Sequence, residues 1–337
     1  MALKAWLKGI LVASGLTITV TLAGAGFAWY QTQQAMVQPL QMAQPEEITL
    51  TRGANAGTLL ADWEKAGWID QRFWLRLALK LQPELTAIKS GTYELAPDMT
   101  VAQALALLVA GDEKQFQITL VEGGTAKQWL AQVQAHPRIQ TTLDDIAALD
   151  MALGLEDQPV EGWLYPDTYA FTAGTTDLAI LQRAFDQMES AVETVWAQRV
   201  KNLPIDTPYE MLILASIIEK ETGKPEERRL VSSVFVNRLN KGMRLQTDPT
   251  VIYGVGEDYQ GRITRKHLNT WTPYNTYRIH GLPPTPIANP SLASLQAAVN
   301  PEQSDYLYFV SKGDGSHQFS RTLREHNNAV NRYIRNR

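Results

Sequence analysis

The stretch TPYEMLILASIIEKETGKP, residues 207–225, decides how this chain folds. Its first four residues are a helix start: Thr207 caps, Pro208 fills the first helical position and Glu210 completes a capping box. The next eight, MLILASII (211–218), are apolar or small on every side, a pattern that only a helix buried all round tolerates. Gly223 and Pro225 stop it. A helix of this kind needs other elements packed around it, so the region from 122 to 337 is expected to be a mixed α+β domain built on this core.

Glu219 follows the apolar run directly. Helical spacing aligns it with Leu212, Ala215 and Ser216, so it continues the small, buried face. Burial and the negative end of the helix dipole both disfavour a carboxylate there, and a retained proton is what a general acid needs. The plain structural reading is a glutamate at a helix end pairing with Lys220, Lys224 or Arg228. Glu221, two residues on, points to a different face and is the rival acid.

Downstream, residues 225–241 read as a second helix, with Leu230, Val231, Val234, Phe235 and Leu239 inward, Asn237 and Arg238 presented, and Gly242 at its end. RLQTDPTVIY (244–253) reads as a short extended segment bearing Gln246, Thr247, Asp248 and Thr250. YNTY (274–277) and GLPP (281–284) read as a polar-aromatic loop and a rigid one. Aromatic faces with amide and hydroxyl partners suit a sugar-binding groove. Asn237, Gln246, Asp248, Tyr274, Asn275 and Tyr277 are therefore candidates for positioning a substrate or Glu219, each with loop-holding as its alternative.

Upstream, no charged residue occurs between Lys8 and Glu46. Residues 9–30 are long enough for a transmembrane helix, which needs ~20 residues for a ~30 Å hydrocarbon core. Trp6, Trp29 and Tyr30 stand at its ends, where aromatics prefer the interface. Lys4 and Lys8 precede the span, which predicts a cytoplasmic tail over 1–8 and everything after Tyr30 outside. A cleaved signal peptide is the competing reading, although its apolar core is usually shorter. Residues 31–45, uncharged and rich in Gln and Met, read as a linker.

A small α+β module is expected over 46–121. Its signals are a helix over 56–66, an Asp70-capped helix carrying Phe73, Trp74, Leu77 and Leu81, a strand at KSGTYEL (89–95), a Thr100/Gln103 capping box closed by Gly111, and an alternating strand over 114–121. Beyond it, EGWLYPDTYAF (161–171) is either a buried or a ligand-facing loop, and residues 176–202 read as a helix.

Composition narrows the chemistry. The 337 residues carry a formal net charge of −4, against a nucleic-acid partner, and no cysteine, which excludes disulfides, thiol nucleophiles and thiolate metal sites. Five histidines in no ligand spacing give a metal no support, and no cofactor is expected.

Taken together, LASIIEKET (214–222), SVFVNRL (233–239), MRLQTDPTVIYG (243–254), YNTY, GLPP and YLYFV (306–310) resemble the endolytic murein transglycosylase family, the MltG or YceG-like proteins. The resemblance covers nearly the whole chain. It implies a LysM-like peptidoglycan-binding module over 46–121 and a catalytic domain over 122–337. It also implies that Glu219 matches the family's catalytic glutamate. The implied reaction is a lyase-type cleavage of MurNAc–GlcNAc β-1,4 bonds within nascent glycan strands, leaving 1,6-anhydro-MurNAc ends. The implied setting is a bacterial inner membrane with a single-pass anchor and a periplasmic domain, and peptidoglycan synthases are the protein partners it suggests. Two departures from the family pattern, Gly124 in EGGT and Ser291 in NPS, are expected to stay clear of the acid. A hydrolytic muramidase and a non-catalytic scaffold that binds peptidoglycan and recruits synthases are the competing functions.

Overall fold

The structure is a computed structural model that describes residues 2–155 and 158–335. It divides into two compact units, residues 1–116 and 117–337. The first begins with the helix α1 (Ala2–Val37), apolar enough over Gly9–Val37 to cross a membrane. Met1, at the head of the expected tail, lies outside the described residues, as do 156–157 and 336–337 of the second unit. The linker expected over 31–45 is corrected: the helix persists to Val37, and Ala35, Met36 and Leu40 are buried. Uncharged Gln, Met and Ala favour helix and tolerate burial, so the absence of charge marked packing rather than a stalk.

The rest of this unit runs β1 (Glu46–Leu50), α2 (Ala56–Lys65), α3 (Arg72–Leu81), β2 (Gly91–Leu95) and α4 (Val101–Ala110). β1 and β2 pair antiparallel from Glu46↔Leu95 to Leu50↔Gly91. The Thr100/Gln103 capping box forms as expected, and Gly111 ends α4 in the left-handed region at φ 76°. Asp70 does not cap α3; Gln71 holds that position, while Asp70 accepts from the Gln41 amide. Trp63, Leu75, Tyr93, Leu95 and Leu105 fill the core between these elements.

The second unit contains β3 (Phe116–Thr119), α5 (Ala126–Gln134), α6 (Ile146–Ala152), β4 (Thr168–Phe171), α7 (Asp177–Ala197), α8 (Pro208–Glu221) and α9 (Pro225–Asn240). Then come α10 (Asp248–Val255), α11 (Arg265–Asn269), α12 (Leu292–Val299), β5 (Tyr308–Ser311), β6 (His317–Ser320) and α13 (Leu323–Val330). β3 pairs with β4, and β5 pairs antiparallel with β6 from Tyr308↔Ser320. Helix α8 is the centre: Met211 to Ile218 are all buried, and α7, α9, α10 and α12 pack around it. Its capping box is the expected one, with the Thr207 hydroxyl accepting from the Glu210 N–H and the Glu210 carboxylate from the Thr207 N–H. The extended segment expected over 244–253 is corrected. Pro249 and the preceding Asp248 occupy the first turn of α10, an arrangement that favours a helix start.

The 161–171 loop takes its buried alternative. Glu161, Gly162, Leu164, Tyr169 and Phe171 are buried, and Trp163 stacks on Tyr209 at 6.2 Å. Gly124 has a steric cause: a Cβ built there would lie 2.2 Å from the Trp129 indole nitrogen, and Trp129 is itself buried. Gly124→Ala is expected to lower stability by about 1–3 kcal/mol through overpacking, read as a drop in thermal midpoint.

Candidate active site

The C-terminal turn of α8 sends its two glutamates to opposite surroundings. Glu219 turns toward the start of α12. Its carboxylate accepts from the Ser291 N–H at 2.9 Å and from the Ser291 hydroxyl, and the Arg228 guanidinium stands 3.8 Å away. Its side chain is only 5 % exposed. Ser291 is the N-cap of α12, so this carboxylate ties the end of one helix to the start of another. The expectation that Ser291 stays clear of Glu219 is therefore overturned. The burial inferred from helical spacing is present, and with it come donors that satisfy the carboxylate.

Glu221 faces the other way, into a cleft of about 450 Å³. The cleft is walled by α8, α9, the 245–248 segment, Tyr277, β5 and α13. The Thr247 hydroxyl donates to the Glu221 carboxyl. Burial pushes the Glu221 pKa up to about 7, with the neighbouring Asp248 charge adding to the rise and the Thr247 hydrogen bond opposing it. A carboxyl group that holds its proton near neutrality, yet opens onto a cleft, can donate that proton to a bound ligand.

Three of the six expected positioning residues line this cleft. Asp248 accepts from the Tyr277 hydroxyl at 2.7 Å, which orients both. Burial and the Asp248 hydrogen bond raise the Tyr277 pKa, so the phenol keeps its proton. Gln246 takes φ 53°, a conformation uncommon for a residue with a side chain, and it accepts from Arg238 at 3.3 Å. The other three hold backbone instead. Asn237 donates to the Ser304 and Tyr306 carbonyls. Asn275, 1 % exposed, donates to the carbonyls of His267, Leu268 and Thr270. Tyr274 shares a hydrogen bond with Thr285 and sets its ring edge-on to Tyr253. These contacts fit the loop-holding alternative, and none of the three lines the cleft.

Arg238 sits at the junction of these parts. It donates to the carbonyls of Arg244, Leu245 and Leu307, and its guanidinium lies over the Tyr308 ring at 5.0 Å. It fixes the backbone that bears Gln246 to the strand that bears Tyr308. The cleft residues that the sequence reading passed over are Tyr308, Phe309, Leu323, His326 and Asn327. His326 stacks on Tyr308 at 5.2 Å. YLYFV over 306–310 contains most of the strand, and Thr322 with Glu325 three residues on is the local signal for the helix beyond it, the Thr322 hydroxyl accepting from the Glu325 N–H.

A second raised carboxyl belongs to Glu161, which is 6 % exposed and accepts from the Ala126 N–H at 3.0 Å and the Tyr253 hydroxyl at 3.2 Å. Burial pushes its pKa up to about 7, against those two donors and the Lys220 charge.

Comparison with known proteins shows the family to which the chain is similar. The profile of the YceG-like family matches residues 48–332. The chain is 35 % identical to an endolytic murein transglycosylase of Bacillus subtilis, with 74 % of each chain covered. It is 27 % identical to proteins of the same name from Streptococcus pneumoniae, over 96 % of this chain and 65 % of theirs, so it spans just under two thirds of their length. The 2.6 Å crystal structure of a YceG-like protein from Listeria monocytogenes matches with a TM-score of 0.54 at 31 % identity, over 85 % of this chain and 99 % of that one.

Proposed function

Because the chain belongs to the YceG-like family, we propose that it is a lytic transglycosylase that cleaves the glycan of peptidoglycan at internal bonds. The observation that carries this reading is Glu221, a carboxyl raised to about 7 in a cleft whose other walls include Tyr, Gln, Asp and Arg side chains. Glu221 donates its proton to the leaving glycosidic oxygen while an oxocarbenium-like state develops. As a carboxylate it then takes the proton of the C6 hydroxyl, whose oxygen closes on C1 to give the 1,6-anhydro ring. The nucleophile is part of the substrate, so a second carboxylate to activate water is not obligatory.

This proposal gives Glu221 the role that helical spacing and the family resemblance gave to Glu219. The support is geometric: Glu221 lines the cleft, whereas Glu219 has one oxygen held by the Ser291 N–H and hydroxyl and the other facing Arg228 at 3.8 Å. Gln246, Asp248 and Tyr277 are proposed to position the sugar, with Asp248 oriented by the Tyr277 hydroxyl toward the developing positive charge. The first unit is proposed as the LysM-like glycan-binding module. Helix α1 is proposed as a single-pass anchor in the inner membrane that leaves both units outside the cytoplasm, near nascent strands and the synthases that make them.

The test is mass spectrometry of the products formed from uncrosslinked glycan strands. The full chain in detergent is used, since the region before residue 45 contributes Ala35, Met36 and Leu40 to the first core. Internal fragments with anhydro ends are expected. Reducing ends would establish a hydrolase instead, and intact strands with binding retained would favour the scaffold.

A further inference from the structure

Helix α3 presents three stripes, and only one of them is used by the fold. Leu75, Ala78 and Leu79 are buried in the core of the first unit. Phe73, Leu77 and Leu81 follow one another at four-residue spacing along a second stripe, with Phe73 71 % and Leu81 53 % exposed. Arg72, Arg76 and Lys80 form a third at the same spacing. An open cleft of about 440 Å³ lies between the last two, lined by Arg72, Phe73, Arg76, Leu77, Lys80 and Glu64. Arg72 pairs with Glu64 at 3.0 Å; among the described residues neither Arg76 nor Lys80 has an acidic partner.

The place of this face relative to α1 is fixed by contact. Trp74 sets its ring edge-on to Phe27 of α1 at 6.0 Å, and Phe73 sets its own edge-on to Trp74 at 4.9 Å. Phe27 belongs to the apolar run of α1 and is followed by the exposed pair Trp29 and Tyr30. Five aromatic side chains from two helices are thus gathered around Phe27–Tyr30, in the C-terminal part of the apolar run. If α1 crosses a bilayer, rings packed on Phe27 stand at the boundary between acyl chains and headgroups. Aromatic side chains concentrate at that depth. A short helix with Phe and Leu on one stripe and cations on the next has the composition of an interfacial helix.

We propose that α3 lies in the headgroup layer of the membrane that α1 enters, with Phe73, Leu77 and Leu81 in the acyl boundary and Arg76 and Lys80 on the phosphates of anionic lipids. The proposal rests on the anchor reading of α1. Its occupant is the lipid surface because the face is continuous with the apolar run of α1 and its surplus charge is positive. The consequence is that the first unit meets the bilayer at a second point beside the anchor.

The absence of native cysteine makes the test direct. Single-cysteine variants Phe73→Cys, Leu81→Cys and, as a reporter of the span, Leu22→Cys are labelled with an environment-sensitive fluorophore. The full chain is then reconstituted in phosphatidylcholine–phosphatidylglycerol vesicles containing nitroxide lipids. Quenching at all three positions is expected. Replacing Arg76 and Lys80 with Gln, or omitting the anionic lipid, is expected to shift the docked-to-undocked ratio at 73 and 81 by roughly fivefold per cation. Quenching at 22 with 73 and 81 open to aqueous iodide overturns the proposal and leaves the anchor standing. No quenching at 22 overturns the anchor and the proposal with it. Labels at 73 and 81 shielded from iodide but unreached by nitroxide lipid mean that a second copy or another protein covers the face, which also overturns it. Quenching that ignores both cations and lipid charge removes the phosphate contact.

Discussion

Glu221→Gln abolishes formation of anhydro-ended products, with a loss of at least about 10²–10⁴-fold, the scale of general acid–base catalysis. The amide is nearly isosteric and its carbonyl still accepts from the Thr247 hydroxyl, so the fold at the end of α8 is kept while the transferable proton is gone. Glu219→Gln behaves differently. One amide oxygen still serves the Ser291 N–H, but the charge facing Arg228 is lost and an amide N–H₂ faces donors. That variant is expected to lose about 1–3 kcal/mol of stability and to retain most of its turnover per folded molecule. Product mass spectrometry with thermal unfolding of both variants separates the two roles. The reverse pattern would return the acid to Glu219. The pH profile adds an independent reading. The first step needs the protonated form of Glu221 in the free enzyme, so kcat/KM falls as pH rises through about 7. In the Glu219→Gln variant that limb stays in place.

The two glutamates of α8 show what a local sequence pattern carries and what it leaves to packing. The spacing of Leu212, Ala215, Ser216 and Glu219 reports one face of α8 correctly, and Glu219 is buried as expected. Burial alone does not separate a carboxyl held ready for a substrate from one that fastens a helix. That distinction depends on Ser291 and Arg228, which meet Glu219 only after α9 and α12 have packed on α8. The local signals were dependable wherever one turn of backbone decides the matter, as in the Thr207/Glu210 and Thr100/Gln103 capping boxes and the Gly111 helix end. Asn237, Gln246, Asp248, Tyr274, Asn275 and Tyr277 share one composition, yet only Gln246, Asp248 and Tyr277 reach the cleft. Amides and phenols serve equally as loop staples and as ligand contacts, and the choice is made by β5 and α13, which lie well beyond them in the chain. The uncharged run after residue 31 misled for the related reason that a segment without charge suits a linker and a packed helix end alike.

Glu161→Gln provides the converse test, in which a raised carboxyl acts on stability and not on chemistry. Its folded pKa of about 7 lies above the ordinary 4.5 because the side chain is 6 % exposed. Below 4.5 both folded and unfolded chains hold the proton and the group contributes nothing to the pH dependence. Between 4.5 and 7 the folded state binds more protons than the unfolded one, so stability falls as pH rises, and above 7 the full loss of about 3 kcal/mol is in place. Glutamine removes this dependence. Its carbonyl can still accept from the Ala126 N–H, and its amide can turn to the Tyr253 oxygen. The variant is therefore expected to match or fall slightly below the parent at pH 5 and to exceed it by up to about 3 kcal/mol at pH 8.5. Urea unfolding at the two pH values reads the difference directly. A variant less stable by the same amount at both would mean that Glu161 is ionised in the folded chain and held by Lys220 and its two donors, so that burial does not dominate its surroundings. In the Glu161→Gln background the remaining loss of stability with rising pH includes, beside that of Asp150, the loss due to Glu221. In that background Glu221 shows itself twice, as the alkaline limb of kcat/KM and as part of the residual slope of stability with pH.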